Sequence, residues 1–257
     1  MSSGLSSRIV TAAVSKLSGL VPDRVFTSVI AATYPRFELE LARLADFCPT
    51  HGTALDIGAW YGPWSRAFAR RLDRVVAVEP NPKLAAMLTK TVPANVTVIR
   101  SAITDKVGHG TLFVPGQDAG AEAVASMLPS ADTDGITVAT TTIDDIAPRD
   151  VSIIKIDVEG AEFLALRGAT EVLTERRPTL LIELEYRRSP VDEIVEYLAG
   201  FGYTGRVLVE GAWRPLAGYD LADHQRRLLP QVDSRGYLDK VVRGGPHYIN
   251  NVIFDHE

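Results

Sequence analysis

Apolar residues along this chain fall into short runs separated by longer amphipathic stretches, and the two kinds alternate. Ala54–Ile57, Arg74–Val78 and Thr97–Ile99 read as strands, with helices over Trp64–Arg71 and Lys83–Val92 between them. The alternation returns with strands at Val151–Ile156 and Thr179–Leu184 and helices at Ala161–Glu175 and Val191–Gly200. Five strands joined by helical crossovers predict a parallel sheet covered by helices on both faces. After Tyr203 the pattern changes. Arg206–Glu210 and Asn251–Phe254 read as strands with no ordinary crossover helix between them, and are expected to pair antiparallel at one sheet edge. The connection Gly211–His247 carries Trp213, Tyr219, His224, Arg226, Arg227, Tyr237, Lys240 and Arg243, and connections of this length are usually functional or mobile. Pro115–Thr137, rich in Gly, Ala and Asp, reads as irregular and precedes Thr140–Ile146.

Upstream, Ile9, Val10, Ala13, Val14, Leu17 and Leu20 fall on one helical stripe in a stretch with no acidic residue before Asp23. Ser15 and Lys16 break the apolar run, which argues against a secretory signal. The stripe suits a helix packed on the domain or on a second subunit, giving a homodimer through the N-terminal helices. The alternative is a helix lying on a membrane surface. Phe37, Leu39, Leu41, Leu44 and Phe47 suggest a second helix over Pro35–Cys48. The expected organisation is an N-terminal helical extension over 1–50 and one domain over 51–257, with about 211–247 as an insertion covering the substrate.

Composition narrows the function. The 257 residues are 46% hydrophobic and 23% charged, enough for one large α/β domain with a full core and too apolar for disorder. Lys and Arg number 27 against 32 Asp and Glu, with no basic block, so a nucleic-acid partner is disfavoured. The one cysteine, Cys48, cannot form an internal disulfide and points to a reducing, cytoplasmic compartment. No uninterrupted apolar stretch is long enough for a membrane span.

The densest local signal is the turn Asp56-Ile57-Gly58-Ala59-Trp60-Tyr61-Gly62, where a strand runs through two glycines into a helix. Gly58 lets a ligand approach the backbone, and Gly62 allows close helix entry. Glu79 closes the next strand, an acid placed to hold the two hydroxyls of a ribose. A dinucleotide site would show three glycines around a pyrophosphate. Here the pattern is D-x-G-x-x-x-G, and a carboxylate before the first glycine suits the amine and sulfonium of S-adenosylmethionine (SAM).

A second cluster, Lys155-Ile156-Asp157-Val158-Glu159-Gly160-Ala161-Glu162, sits at the tip of the fourth crossover strand, where open α/β sheets bind ligands. A favourable helix start explains Glu162. It explains Asp157 and Lys155 poorly, because ionisable groups buried at a strand end cost free energy without a partner or a function.

Together DIGAWYG, VVAVEPNP, Ser101–Asp105, TTTIDDI, IIKIDVEGAEFLALRGA, RPTLLIE and the closing Asn250–Phe254 resemble the FkbM family of SAM-dependent methyltransferases. The resemblance covers Thr53 to Phe254. It implies a Rossmann-like class I methyltransferase fold, with a seven-stranded, mostly parallel sheet in the order 3-2-1-4-5-7-6 and a reversed last strand. It also implies O-methylation, often of sugar or polyketide hydroxyls. Trp60 departs from the Asn usual in that turn. On this reading Asp56, Gly58, Ala59, Tyr61, Gly62, Glu79, Pro80, Asn81, Ala102 and Asp157 contact the donor.

Methyl transfer requires alignment of the acceptor oxygen and removal of its proton. Asp157 and Glu159 are the first candidates for the base, Glu183 and Glu185 the second, and His247 and His224 the third. Lys155 suits holding carboxylates in place. Several acids near one pocket would also suit Mg²⁺, though without recognisable ligand spacing. Aromatic faces beside polar groups in Gly211–His247 suit a carbohydrate, so the expected acceptor is a sugar or glycoside hydroxyl, such as a mannose-type residue of a glycan or glycolipid. The alternatives are a polyketide or other secondary metabolite, a non-catalytic SAM-binding module, and an NAD-dependent oxidoreductase, which the turn disfavours.

Overall fold

Strand β1 (Thr53–Ile57) is buried along its whole length, as befits a strand flanked on both edges and covered on both faces. It pairs in parallel with β2 (Arg74–Val78) on one side and with β7 (Val151–Ile156) on the other. β3 (Val96–Ile99) continues the sheet beyond β2, and β8 (Thr179–Glu183) continues it beyond β7. β11 (Asn251–His256) runs antiparallel between β8 and β9 (Tyr203–Val209). These seven strands reproduce the order 3-2-1-4-5-7-6 with the last one reversed. The computed structural model describes residues 21–36, 38–115, 126–127, 133–234 and 247–256. The Ile9–Leu20 stripe, Phe37, Tyr237, Lys240 and Arg243 lie outside them.

The sheet differs from the sequence expectation at its outer edge. Ala212–Pro215 forms an eighth strand, β10, antiparallel to β9, so β9 as well as β11 lies inside the sheet and β10 is its edge. Trp213 explains the added strand. Its Nε1 donates to Asp46 Oδ2 at 2.8 Å, its ring meets Phe47 edge-on at 5.8 Å, and the Arg206 guanidinium lies 5.0 Å from its ring centre. β10 thereby clamps the N-terminal segment.

Eight helices accompany the strands among the described residues. They are α1 (Asp23–Thr33), α2 (Leu39–Ala42), α3 (Pro63–Ala69), α4 (Pro82–Thr91), α5 (Ile143–Ile146), α6 (Glu162–Arg167), α7 (Val191–Ala199) and α8 (Leu221–Ser234). On one sheet face Leu55, Ile154, Leu180 and Ile182 pack against Ala165, Leu166, Ile194 and Leu198 of α6 and α7. On the other, Ala54, Ile153, Leu181 and Ile253 lie under Leu41, Phe47, Trp64 and Phe68. Each fully buried leucine, isoleucine or phenylalanine among them contributes roughly 1.5–3 kcal/mol.

Three expectations are corrected. The helix over Pro35–Cys48 is instead α2 followed by a 3₁₀ turn at Leu44–Asp46; Leu41, Leu44 and Phe47 recur every third residue, the 3₁₀ period. The helix from Ala161 stops at Arg167, and a π-turn follows over Val172–Arg176. Between them Gly168 packs so tightly that a Cβ there would lie 2.3 Å from the Thr104 carbonyl oxygen. The ends of Pro115–Thr137 belong to a hairpin of β5 (Gly108–Pro115) and β6 (Thr133–Thr141), which β4 (Ala102–Ile103) joins as a second, three-stranded sheet. Buried Leu112 and Val138 anchor it, a signal diluted in the sequence by the surrounding glycines and polar residues.

Candidate functional site

The chain reverses sharply after β1 because glycine stands where nothing else fits. Gly58 has φ +79°, and a Cβ there would lie 1.8 Å from the Asp157 carbonyl oxygen. The Gly58 and Ala59 N–H groups donate to the Val78 carbonyl at 2.9 and 3.0 Å, fixing the turn to β2. Trp60 follows with φ 49°, the left-handed region that Asn tolerates and Trp rarely enters. Its backbone N–H donates to Glu79 Oε2 at 2.9 Å, and the Asn81 N–H donates to Glu79 Oε1, also at 2.9 Å. Both carboxylate oxygens of Glu79 are thus oriented at the β2 tip, each with a lone pair left for a ligand hydroxyl.

Strand register builds the rest. Asp56 pairs with Lys155, and Ile156 with Ile182, so Asp56, Lys155, Asp157 and Glu183 share the sheet face covered by Trp64 and the N-terminal segment. Lys155 Nζ lies 2.9 Å from Asp157 Oδ2, and Glu183 shares a hydrogen bond with Asp157. Asn250 donates its side-chain amide to Glu183, and Ser65 its hydroxyl to Asp56. Arg188 pairs with Glu159, which adopts φ 54° in the turn after β7. Glu162 accepts from the Val158 and Gly160 N–H groups at 3.2 and 2.9 Å and from Ser189, which makes it the brace of that turn.

These groups face a cleft of about 250 Å³ at the carboxyl ends of β1, β2, β7 and β8, where the chain leaves β1 in both directions across the sheet. Among the described residues six acids line it, Glu38, Asp56, Glu79, Asp157, Glu159 and Glu183, against one lysine, Lys155. So many carboxylates cannot all ionise out of water. Burial pushes Glu79 up to about 7 against the pull of its two backbone N–H donors, and it pushes Glu38 up to about 7 against the pull of Lys155. Burial, then the charge of Asp157, holds Glu183 well above the carboxylate range. Burial also acts on Asp157, yet Lys155 and the hydrogen bond from Glu183 outweigh it and keep Asp157 low. Asp157 and Glu183 therefore titrate as a pair, Asp157 shifted down and Glu183 up.

Nine residues of the sequence-based set line the cleft: Asp56, Gly58, Ala59, Glu79, Pro80, Ala102, Asp157, Glu159 and Glu183. Others stand behind it. Tyr61 is buried against Phe26, their ring centres 5.1 Å apart, Gly62 precedes α3, and Asn81 caps α4 by accepting from the Lys83 N–H at 3.0 Å. Glu185 pairs with Arg187 at 2.6 Å. His247 lies 3.2 Å from the buried Glu40 and is not in the cleft lining, and His224 meets Tyr219 at 2.9 Å. No described residue of 211–247 lines the cleft. Sequence reasoning missed Tyr34, Glu38, Ser101 and Met127, which do. For Glu38 there was a signal, an acid set among the apolar residues Phe37, Leu39 and Leu41.

Asp157, Glu159 and Glu183 bring carboxylate oxygens within 4.8 Å of one another. Lys155, Arg188, Asn250 and the hydrogen bond between Asp157 and Glu183 already engage them, so they do not fit Mg²⁺, which needs open oxygen ligands. SAM fits. Asp56 Oδ1 and Trp60 Nε1, from two residues of the cleft wall, are buried without a hydrogen-bond partner among the described residues, and the excess of acids favours a cationic ligand.

The strand order, the glycine turn after β1 and the acid at the tip of β2 define a class I methyltransferase fold. Residues 56–204 match the methyltransferase FkbM domain. The chain belongs to that family and is an FkbM-type SAM-dependent methyltransferase. Among solved structures it is similar to methyltransferase FkbM from Methylobacillus flagellatus, with 20% identity and a TM-score of 0.46 over 62% of this chain. That match spans 40% of the Methylobacillus protein's length. A TehB-like SAM-dependent methyltransferase from Corynebacterium glutamicum matches 91% of this chain and 99% of its own, at 12% identity and a TM-score of 0.43. M. jannaschii TYW2 in complex with AdoMet matches 86% of this chain and 77% of its own, at 13% identity and a TM-score of 0.42. No curated protein matches the chain.

Proposed function

We propose that the chain methylates a hydroxyl oxygen of a sugar or glycoside, with Asp157 as the proton acceptor. One observation carries the reading: at the β7 tip the Asp157 carboxylate is held between Lys155 Nζ at 2.9 Å and Glu183, which shares a hydrogen bond with it, in the wall of the cleft. When bound, SAM supplies an electrophilic methyl group. Glu79 would hold the ribose hydroxyls, and Asp56 the amine side of the donor. Asp157 would accept the proton of the attacking hydroxyl, which takes the dyad from one negative charge to none, while Lys155 and Glu183 hold the carboxylate in place until the proton arrives. Tyr34 and Trp60, with ring centres 5.8 Å apart, offer an aromatic wall of the kind that packs against the C–H face of a sugar.

The test is methyl transfer from labelled SAM to a panel of glycosides, polyketide alcohols and amines, with wild type and Asp157→Asn. Transfer to glycoside hydroxyls, lost in Asp157→Asn while S-adenosylhomocysteine still binds, is the expected result. Transfer to amines alone overturns O-methylation, and transfer only to polyketide alcohols replaces the acceptor class.

A further inference from the structure

The matched domain begins at Asp56, yet the cleft is walled on one side by residues that precede it. Glu38 lies just before α2, and its Oε2 accepts from Trp64 Nε1 at 2.5 Å. Tyr34 adds a second hydrogen bond. A carboxylate has about four acceptor positions, so Glu38 keeps capacity for a ligand. Trp64 stands in the first turn of α3, the helix that leaves the glycine turn, so this bond fixes Glu38 beside the Gly58–Gly62 reversal.

The position selects the partner. Glu79 marks the ribose end of the cleft at β2, and a donor extended from there passes over Gly58 toward β7. On that side stand Glu38, Asp56, Lys155 and Asp157, and the positive charge of Lys155 is engaged by Asp157. A ligand group seated beside Glu38 therefore meets more carboxylates than cations and must be positive. The amino-acid end of the donor carries such a group.

We propose that Glu38, outside the family domain, joins Asp56 at the amine side of the donor and is a direct anchor for the α-ammonium of its methionine moiety. The inference rests on the reading of the cleft as a SAM site. A charge-assisted hydrogen bond forms between the ammonium and the free lone pairs of Glu38, while Trp64 and Tyr34 keep the carboxylate in place.

The experiment compares two ligands by titration calorimetry on the full chain. S-adenosylhomocysteine has the amino-acid end, and 5′-methylthioadenosine lacks it. Glu38→Gln should weaken S-adenosylhomocysteine by about tenfold or more, the scale of a lost charged hydrogen bond, and leave 5′-methylthioadenosine within about twofold. Trp64→Phe, which frees Glu38 without removing it, should show the same selectivity to a smaller degree, and it supplies the answer if Glu38→Gln does not fold. Equal weakening of both ligands, or of neither, overturns the assignment. If wild type binds neither ligand, the SAM reading itself fails. If wild type binds both and Glu38→Gln shows no selectivity, only the role of Glu38 fails.

Discussion

The Trp60 backbone N–H and Glu79 Oε2 are 2.9 Å apart, a single hydrogen bond that ties the turn after β1 to the tip of β2. Removing the carboxylate deletes the proposed ribose ligand and frees a residue held at φ 49°. Glu79→Ala should weaken S-adenosylhomocysteine and 5′-methylthioadenosine alike, by about tenfold or more, in contrast to Glu38→Gln. Calorimetric affinities unchanged from wild type would remove the ribose assignment.

Donor binding should release protons. Burial brings Glu38 and Glu79 to about 7, so near that pH each is partly protonated in the free protein. An ammonium beside Glu38 and hydroxyl donors on Glu79 favour the ionised forms and pull both values down. Affinity for S-adenosylhomocysteine should therefore rise between about pH 6 and 8 and level off above. In calorimetry at pH 7 the observed heat should change with the ionisation enthalpy of the buffer. A heat independent of buffer would contradict the coupling.

The ligand-free protein should lose stability as the solution becomes more alkaline. Glu79 sits at about 7 in the fold against an ordinary 4.5, so between these values the unfolded chain gives up its proton first. The fold then binds more protons than the unfolded state, and stability falls across that window by on the order of 3 kcal/mol for this one group. Asp157 acts with the opposite sign. Its lowered value contributes stability that is present above 3.8 and lost as the pH falls toward its folded value. Thermal midpoints should be highest near pH 5 and lower at pH 8, with saturating S-adenosylhomocysteine narrowing the gap. A midpoint that climbs from pH 5 to 8 would contradict the burial of these acids.

Among the described residues, Lys155 is the one cation in a cleft lined by six acids. Lys155→Met should destabilise the protein by about 3 kcal/mol or more at pH 8, because it leaves Asp157 and Asp56 buried without a counter-charge, and by less at pH 5, where they can take up protons. Denaturant unfolding at the two pH values measures the difference. Equal losses at both would show that packing, not charge, is what Lys155 supplies.

Much of this site is legible from short motifs. Gly58, Glu79 and Asp157 are each set by a strand tip, and strand tips follow from local apolar runs whose register then fixes which side chains share a face. Glu38 and Tyr34 escaped because their place depends on packing across the sheet onto Trp64, which no local spacing encodes. His247 shows the reverse. Its residue type suggested chemistry, yet it lies beside the buried Glu40, away from the cleft. β10 was hidden for the same reason as Glu38, since Ala212–Pro215 becomes a strand through contacts of Trp213 with Asp46 and Phe47, far away in the chain.

The interior position of β11 has a bearing on how the protein is made. Until it inserts, β8 and β9 each present an adhesive edge to any neighbouring polypeptide, so a nascent chain still short of residue 251 needs shielding. Its arrival also delivers Asn250 to Glu183. Translation thus withholds the finished binding surface until residues 250–256 have been made.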